Sequence, residues 1–298
     1  MTWCHLPFVV LFSLQFIAAD FNNVTYKGKL SPECVKKYHR IYVTKRSAPR
    51  NYQYFHEAMS DQSSDADDEI KWRIVGGDQV SIKQIPYQVL YGMYCGGVLI
   101  APDWVLTAAH CKDKSDFILA GSTYRSRATR YPVCAHFFHP LWNSSSKLHS
   151  HDYDYQLLLL EVAVPVTMES RPVAIGHAND IQPGALISVS GWGHIEYKSR
   201  LMQDVVRRAY IPVISYYECK SLPLPNYRNI TTRMFCAGYK NGTKDSCQGD
   251  SGSPAIIKGK LVGIVSFGVG CAVKNQPGVY TDVPIARAWI RSVTGLPL

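Results

Sequence analysis

The stretch Asp245-Ser246-Cys247-Gln248-Gly249-Asp250-Ser251-Gly252-Ser253-Pro254 sets a serine among glycines, with one acid directly before it and another six residues earlier. A serine hydroxyl is a poor nucleophile at neutral pH. It needs a histidine to take its proton and a buried carboxylate to hold that histidine in one tautomer. Both residue types stand upstream. His110 lies in Thr107-Ala108-Ala109-His110-Cys111, and Asp154 in Asp152-Tyr153-Asp154-Tyr155-Gln156-Leu157-Leu158, ahead of an apolar run that would bury it. Asp152 is a rival for the same task. In an extended segment both carboxylates point the same way, so spacing alone does not choose between them. A fourth segment, Arg73-Ile74-Val75-Gly76-Gly77, lies further upstream.

These segments, in this order across roughly 225 residues, resemble the trypsin and chymotrypsin serine proteases, whose triad runs His, Asp, Ser along the chain. The resemblance implies an all-β fold of two packed six-stranded antiparallel β-barrels with a C-terminal helix, preceded by a poorly structured pro-segment. It gives His110 the role of general base, Ser251 that of nucleophile, and favours Asp154 over Asp152, because in the family leucines follow the aspartate. Ser266 matches the serine that hydrogen-bonds this aspartate. The backbone N–H groups of Gly249 and Ser251 would hold the oxyanion. Asp245 falls at the floor of the primary pocket, with Ser246 beside it and Gly268 and Gly278 at its walls, so cleavage is expected after Arg or Lys. Where the family usually reads Ser-Trp-Gly, this chain has Ser266-Phe267-Gly268, a smaller aromatic wall beside the substrate backbone. Cleavage between Arg73 and Ile74 would free an α-amino group to pair with Asp250. The disulfides implied are Cys95 with Cys111, Cys219 with Cys236, and Cys247 with Cys271. A different class, the non-catalytic protease homologue acting as a binding or cofactor protein, usually replaces the nucleophile; here Ser251, His110 and Asp154 are all present.

The elements that must position these residues are bounded by composition. The chain has 298 residues, 32 Lys and Arg against 23 acids, and a formal net charge of +9. The 22 basic and 15 acidic residues after Ile74 keep that part at +7. The charges are scattered, with no aromatic and basic block, so no nucleic-acid partner is expected. Residues 6–19 are apolar and end in Ile17-Ala18-Ala19, with the small Ala18 and Ala19 where a signal peptidase would cut before Asp20. That stretch is too short for a membrane span. The expected organisation is a signal peptide over 1–19, a pro-segment over 20–73 and a protease domain over 74–298, secreted and monomeric, with no cofactor or metal. Partners would be protein or peptide substrates, an activating protease, and serpins or other protease inhibitors.

Nine cysteines and sequons at Asn23, Asn143, Asn229 and Asn241 agree with export. Cys4 would leave with the signal peptide. Cys34 and Cys134 are then left over, one on each side of Arg73. Their pairing stays open, because the usual partner of a tethered pro-segment lies in the linker between barrels, and residues 162–190 contain no cysteine.

Residues 20–73 are polar, without helical or alternating period. Near their end Asp61, Asp65, Asp67, Asp68 and Glu69 form an acidic run that is either a solvated linker or a guard against self-cleavage; Lys71 and Lys45-Arg46 offer competing basic sites. From Ile74 short runs of Val, Ile, Leu and Tyr alternate with Gly, Pro and Asn turns, the spacing of an antiparallel barrel or sandwich. Residues 95–100 and 104–107 read as strands that deliver His110. Between Phe117 and His151 there is no Asp or Glu, so the carboxylates a calcium site needs are missing. His149 and His151 lack a third metal ligand, and His151 reads as a cleft-lining side chain. A second barrel is expected from about Pro183-Gly184, and residues 281–294, with Ile285, Ala288, Trp289 and Ile290, have the spacing of a closing amphipathic helix. The loop over residues 220–235 is long for a minimal member of the family.

Overall fold

Short β-branched and aromatic runs punctuated by turns fold into strands that close on themselves. The computed structural model describes residues 24–25, 32, 34, 36–37, 76–112, 115–146, 150–194 and 202–298. The leader stretch, Asn23, Lys45-Arg46, the acidic run, Lys71, Arg73, Ile74 and His149 lie outside the described residues. In chain order the first strands are β1 (Val24–Thr25), β2 (Asp78–Gln79), β3 (Gln88–Tyr91), β4 (Cys95–Ala101), β5 (Trp104–Thr107), β6 (Phe117–Ala120), β7 (Thr129–Phe138) and β8 (Gln156–Leu160). The remainder are β9 (Leu186–Gly191), β10 (Arg207–Ile214), β11 (Met234–Ala237), β12 (Pro254–Ile257), β13 (Lys260–Phe267) and β14 (Gly278–Asp282).

The first barrel runs β7-β6-β3-β4-β5-β8 and closes through pairing of β7 with β8; the second runs β11-β14-β13-β12-β9-β10 and closes through β10 with β11. Closure leaves few free strand edges, and the two barrels then share an interface that buries both outer faces locally. Across that interface β4 meets β12 and β3 meets β9, and every residue of β4, β5 and β8 is buried, the polar Thr107 and Gln156 included. β10, with one face toward solvent, instead alternates buried and accessible positions. The core of the first barrel, built on Val98, Leu106, Ile118 and Leu157, runs without a break into Ile256, Ile264 and Ile290 of the second half.

Beyond residue 76 the described α-helices are α1 (Tyr216–Lys220), α2 (Pro225–Arg228) and α3 (Arg287–Thr294). The closing helix is shorter than the spacing predicts. Thr281 and Asp282 finish β14, paired with Met234 and Gly263, and a turn at Pro284–Ala286 follows before the helix begins. Ile285 is accordingly exposed rather than part of a buried helical face. Gly295 ends α3 in the left-handed conformation, where its N–H reaches the Arg291 carbonyl. The long loop after β10 is occupied by α1 and α2, pinned by the Cys219–Cys236 disulfide and by the buried Tyr227, whose hydroxyl donates to the Pro277 carbonyl.

The leftover cysteines pair. Cys34, buried, is bonded to Cys134 on β7, β1 adds antiparallel to β7 opposite His136 and Phe137, and Lys37 binds Asp103 and the Leu160 carbonyl. The attachment therefore uses the first barrel and not the linker between barrels. A cut at Arg73 is expected to yield two chains that migrate as one species on a non-reducing gel and separate on reduction. Release of the upstream chain without reductant would contradict the Cys34–Cys134 bond. None of the helices among the described residues is long and apolar enough to cross a membrane.

Candidate active site

The barrel junction brings the chemistry-bearing segments together. β5 ends at Thr107, and the turn Ala109–Cys111 carries His110 from its end, tied down by the Cys95–Cys111 disulfide. Asp154 precedes β8 and is fully buried. Its Oδ1 accepts the His110 backbone N–H at 2.7 Å, and its Oδ2 accepts from His110 Nδ1 at 2.7 Å and from Ser266 Oγ at 2.5 Å. Burial pushes this carboxyl up; the facing His110 charge and the bonds from His110 and Ser266 outweigh it and hold the group below the ordinary value. Ser266 reaches Asp154 because β13 bulges there. Val265 pairs with Tyr280 and Phe267 with the adjacent Val279, so Ser266 is the extra residue whose side chain the bulge re-aims.

Asp152 goes elsewhere. Its carboxylate takes a two-pronged contact from Arg233, Nε to Oδ1 at 2.8 Å and Nη2 to Oδ2 at 2.7 Å, and a third bond from the Thr231 hydroxyl at 2.9 Å. The segment is not extended, which is why the two acids part company. Tyr153 has φ +55°, and this left-handed residue breaks the alternation that would aim both carboxylates one way. The Arg233 guanidinium then covers the Tyr153 ring at 4.5 Å. This clamp joins the loop of the first barrel that carries Asp154 to the approach of β11 in the second. Burial pushes Asp152 up, and the Arg233 and Thr231 bonds bring it below its ordinary 3.8. A folded-state pKa below the unfolded one adds stability above that value and forfeits it as pH falls. Arg233→Ala is therefore expected to lower stability by about 2 kcal/mol at neutral pH. Urea midpoints should show the gap from wild type narrowing as the pH drops below 3.8.

The Ser251 loop of the second barrel is seated on the first. The Ser251 carbonyl accepts the Gly96 N–H at 2.8 Å, and Gly252 N–H donates to the Val265 carbonyl at 2.8 Å. Gly252 has φ +82°, and a Cβ there would lie 2.2 Å from Thr107 Oγ1 and 2.5 Å from the Gly96 carbonyl oxygen. Only glycine fits so close to the segment that leads to His110. Gly249 has φ +93° and lies under Met202. A buried relay crosses the junction behind the loop: Ser190 Oγ donates to Gln88 Oε1 at 2.8 Å, and Gln88 Nε2 reaches Ser253 Oγ at 3.4 Å.

Asp250, fully buried, accepts the N–H groups of Gly193 at 2.9 Å and Cys247 at 3.0 Å, and burial pushes it to about 6. Gly191 and Gly193 leave the space its carboxylate fills, since a Cβ on either would overlap it. Asp245 is 3% exposed; its Oδ2 accepts the Ala272 N–H at 3.1 Å, while Oδ1 has no hydrogen-bond partner. Burial raises it from 3.8 to about 7, only partly opposed by the Ala272 and Ser246 N–H groups. A Cβ on Gly278 would come within 2.9 Å of that Oδ1 and cover it. At Gly268 a Cβ would meet Gly270 O at 3.6 Å and little else, so glycine there preserves space and relieves no strain. The Ser246 hydroxyl lies 3.4 Å from that of Tyr280, and Cys247–Cys271 closes the segment.

His151 lines the site beside His110, ring centroids 5.6 Å apart, and packs on Phe267 at 4.6 Å. Burial lowers its pKa, with Asp154 opposing and His110 reinforcing the shift. Arg233, Thr231, Gln88 and Ser190 carry no local signal in the sequence; only the pairing of the strands brings them to the site.

The family model described as Trypsin matches residues 74–290. The chain belongs to the trypsin family. Trypsin 5G1 of Aedes aegypti is 38% identical over 234 residues, 75% of this chain and 86% of that protein. A vitellin-degrading protease of Bombyx mori is 40% identical over 239 residues, 76% of this chain and 88% of that one. The solved structure of mouse neuropsin, described as a serine protease expressed in the limbic system of the brain, superposes with a TM-score of 0.66 at 30% identity, covering 72% of this chain and 97% of its own. As a trypsin-family member the chain is a serine endopeptidase, and proteins are its substrates.

Proposed function

We propose that this trypsin-family protease is exported with a signal peptide over residues 1–19, held inactive by the segment 20–73, and activated by cleavage between Arg73 and Ile74. The freed α-amino group of Ile74 pairs with Asp250 and so sets the loop that leads to Ser251. Ser251 attacks the peptide carbonyl, His110 takes its proton and returns it to the leaving amine, and Asp154 orients His110 and stabilises its charged form. The N–H groups of Gly249 and Ser251 hold the oxyanion, each such donor contributing about 3 kcal/mol to the transition state. The mature enzyme cuts after Arg or Lys. The observation that carries this specificity is Asp245, a buried carboxylate with one oxygen unpaired and glycine beside it. An unpaired buried carboxylate is costly, and a cationic side chain is the partner that relieves it. Ser246 adds a hydroxyl next to the lysine ammonium.

The test is hydrolysis of paired Arg, Lys and Phe peptide amides before and after controlled cleavage at Arg73. Activity that appears only after cleavage, favours Arg and Lys, and vanishes in Ser251→Ala is the expected result. Full activity in the uncut chain would remove the zymogen reading, and preference for Phe would remove the role given to Asp245.

A further inference from the structure

Asn143-Ser144-Ser145 is a glycan acceptor triplet that the catalytic reading leaves unused. Asn143 is exposed, and its Oδ1 accepts the Ser145 N–H at 3.0 Å in a tight local turn. The turn is anchored from its inner side. Trp142 stacks on Phe138 at 5.4 Å, its backbone N–H reaches the His139 carbonyl, and its indole Nε1 donates to the Ser150 carbonyl at 3.2 Å. The Ser150 hydroxyl in turn lies 3.1 Å from His151 Nδ1, and His151 is the side chain set between His110 and Phe267. Direct contacts therefore lead from the residue beside Asn143 to the wall of the active site.

The other described sequons differ. Asn229 caps the end of α2 and is only half-exposed. Asn241 is exposed but belongs to the loop whose Thr243 carbonyl lies against Gly76.

We propose that Asn143 carries an N-linked glycan that stands at the rim of the substrate cleft and restricts the approach of folded protein substrates and inhibitors while leaving short peptides free access. The inference rests on the export reading above, since the modification requires the secretory compartment. There the Asn143 side-chain nitrogen attacks C1 of the first sugar of a lipid-diphosphate oligosaccharide. A nitrogen–carbon bond forms, the bond from C1 to the diphosphate oxygen breaks, the amide gives up one proton to the transferase, and the lipid diphosphate leaves. A glycan is bulky and fully hydrated, so it adds excluded volume without a new contact. Its effect therefore depends on the size of what enters the cleft.

The full chain secreted from eukaryotic cells would be peptide-mapped by mass spectrometry after enzymatic deglycosylation in heavy-oxygen water, which marks each occupied asparagine. Wild type is expected to be occupied at Asn143, and Asn143→Gln and Ser145→Ala, which abolish the acceptor by two routes, to be bare. After activation, both variants should cleave a folded protein substrate at least about threefold faster than wild type and hydrolyse a short Arg amide at the same rate. A secreted chain bare at Asn143 overturns the glycan. Occupancy with an unchanged ratio of protein to amide cleavage overturns the screening. A chain kept inside the cell and bare at every sequon fails the export reading and the glycan together, whereas an occupied chain that hydrolyses no amide fails only the catalytic reading.

Discussion

Asp154→Asn is expected to fold as wild type does and to lose about four orders of magnitude in kcat toward an Arg amide, roughly 5.5 kcal/mol of transition-state stabilisation. The size of the loss follows from hydrogen-bond polarity. Asp154 Oδ2 now accepts from both His110 Nδ1 and Ser266 Oγ. An asparagine can keep its carbonyl oxygen on the His110 backbone N–H, but its NH2 then faces two donors. The His110 proton is driven from Nδ1 to Nε2, and the nitrogen that should take a proton from Ser251 already has one. Packing is hardly altered, because the two side chains have the same shape. The measurement is kcat of the activated variant beside its circular dichroism and urea midpoint. Asp152→Asn provides the control. It weakens the Arg233 clamp and should cost stability while kcat changes by less than about tenfold, since its carboxylate is bound by Arg233 and Thr231 and not by His110, Ser251 or Ser266. Equal losses of kcat in the two variants would mean that the assignment of Asp154 is wrong.

That contrast also marks where the sequence stops being informative. His110, Asp245, Asp250 and Ser251 can be singled out in the sequence because each sits in a short contiguous segment whose residue types suit the one role proposed for it. The choice between Asp152 and Asp154 is not legible from spacing. It depends on a positive φ at Tyr153, a residue with no special tolerance for that conformation, and on Arg233 and Thr231, which β11 brings across from the other barrel. Ser266 is similar, since its aim comes from a bulge that nothing in Ser266-Phe267-Gly268 announces. Strand and turn spacing leaves a barrel or a sandwich open, and the resemblance to the family chooses two barrels. The length of α3 could not be expected, because Thr281 and Asp282 suit a helix or a strand, and pairing with Met234 and Gly263 decides for the strand. Cys34 and Cys134 are identifiable as the odd pair, yet only the docking of the upstream segment on β7 brings them within bonding distance.

Asp245→Asn is expected to cut kcat/KM for Arg and Lys amides by two to four orders of magnitude, the equivalent of about 3–5 kcal/mol for removing one member of a buried ion pair. The same change should make the unliganded protein more stable at neutral pH. The sign follows from the buried carboxyl. Its folded pKa of about 7 stands above the ordinary 3.8, so between those values the unfolded chain releases a proton that the folded chain keeps. Stability attributable to Asp245 is complete below 3.8 and is lost as pH rises to about 7. The amide that replaces it in the variant cannot ionise and escapes that loss. Asp250 and Asp282, both raised to about 6, contribute slopes of the same sign and are common to both proteins, so the difference between wild type and variant isolates Asp245. Urea midpoints at about pH 4 and about pH 8 should therefore diverge, with the variant ahead at the higher pH. Substrate reverses the balance. A guanidinium or ammonium in the pocket pairs with the ionised form, so KM for an Arg amide should fall in wild type as pH rises through about 7 and stay flat in the variant. A variant that loses Arg cleavage without gaining stability would mean that the Asp245 carboxylate is already paired in the free enzyme, and that selectivity comes from the shape left by Gly268 and Gly278 and not from an unpaired charge.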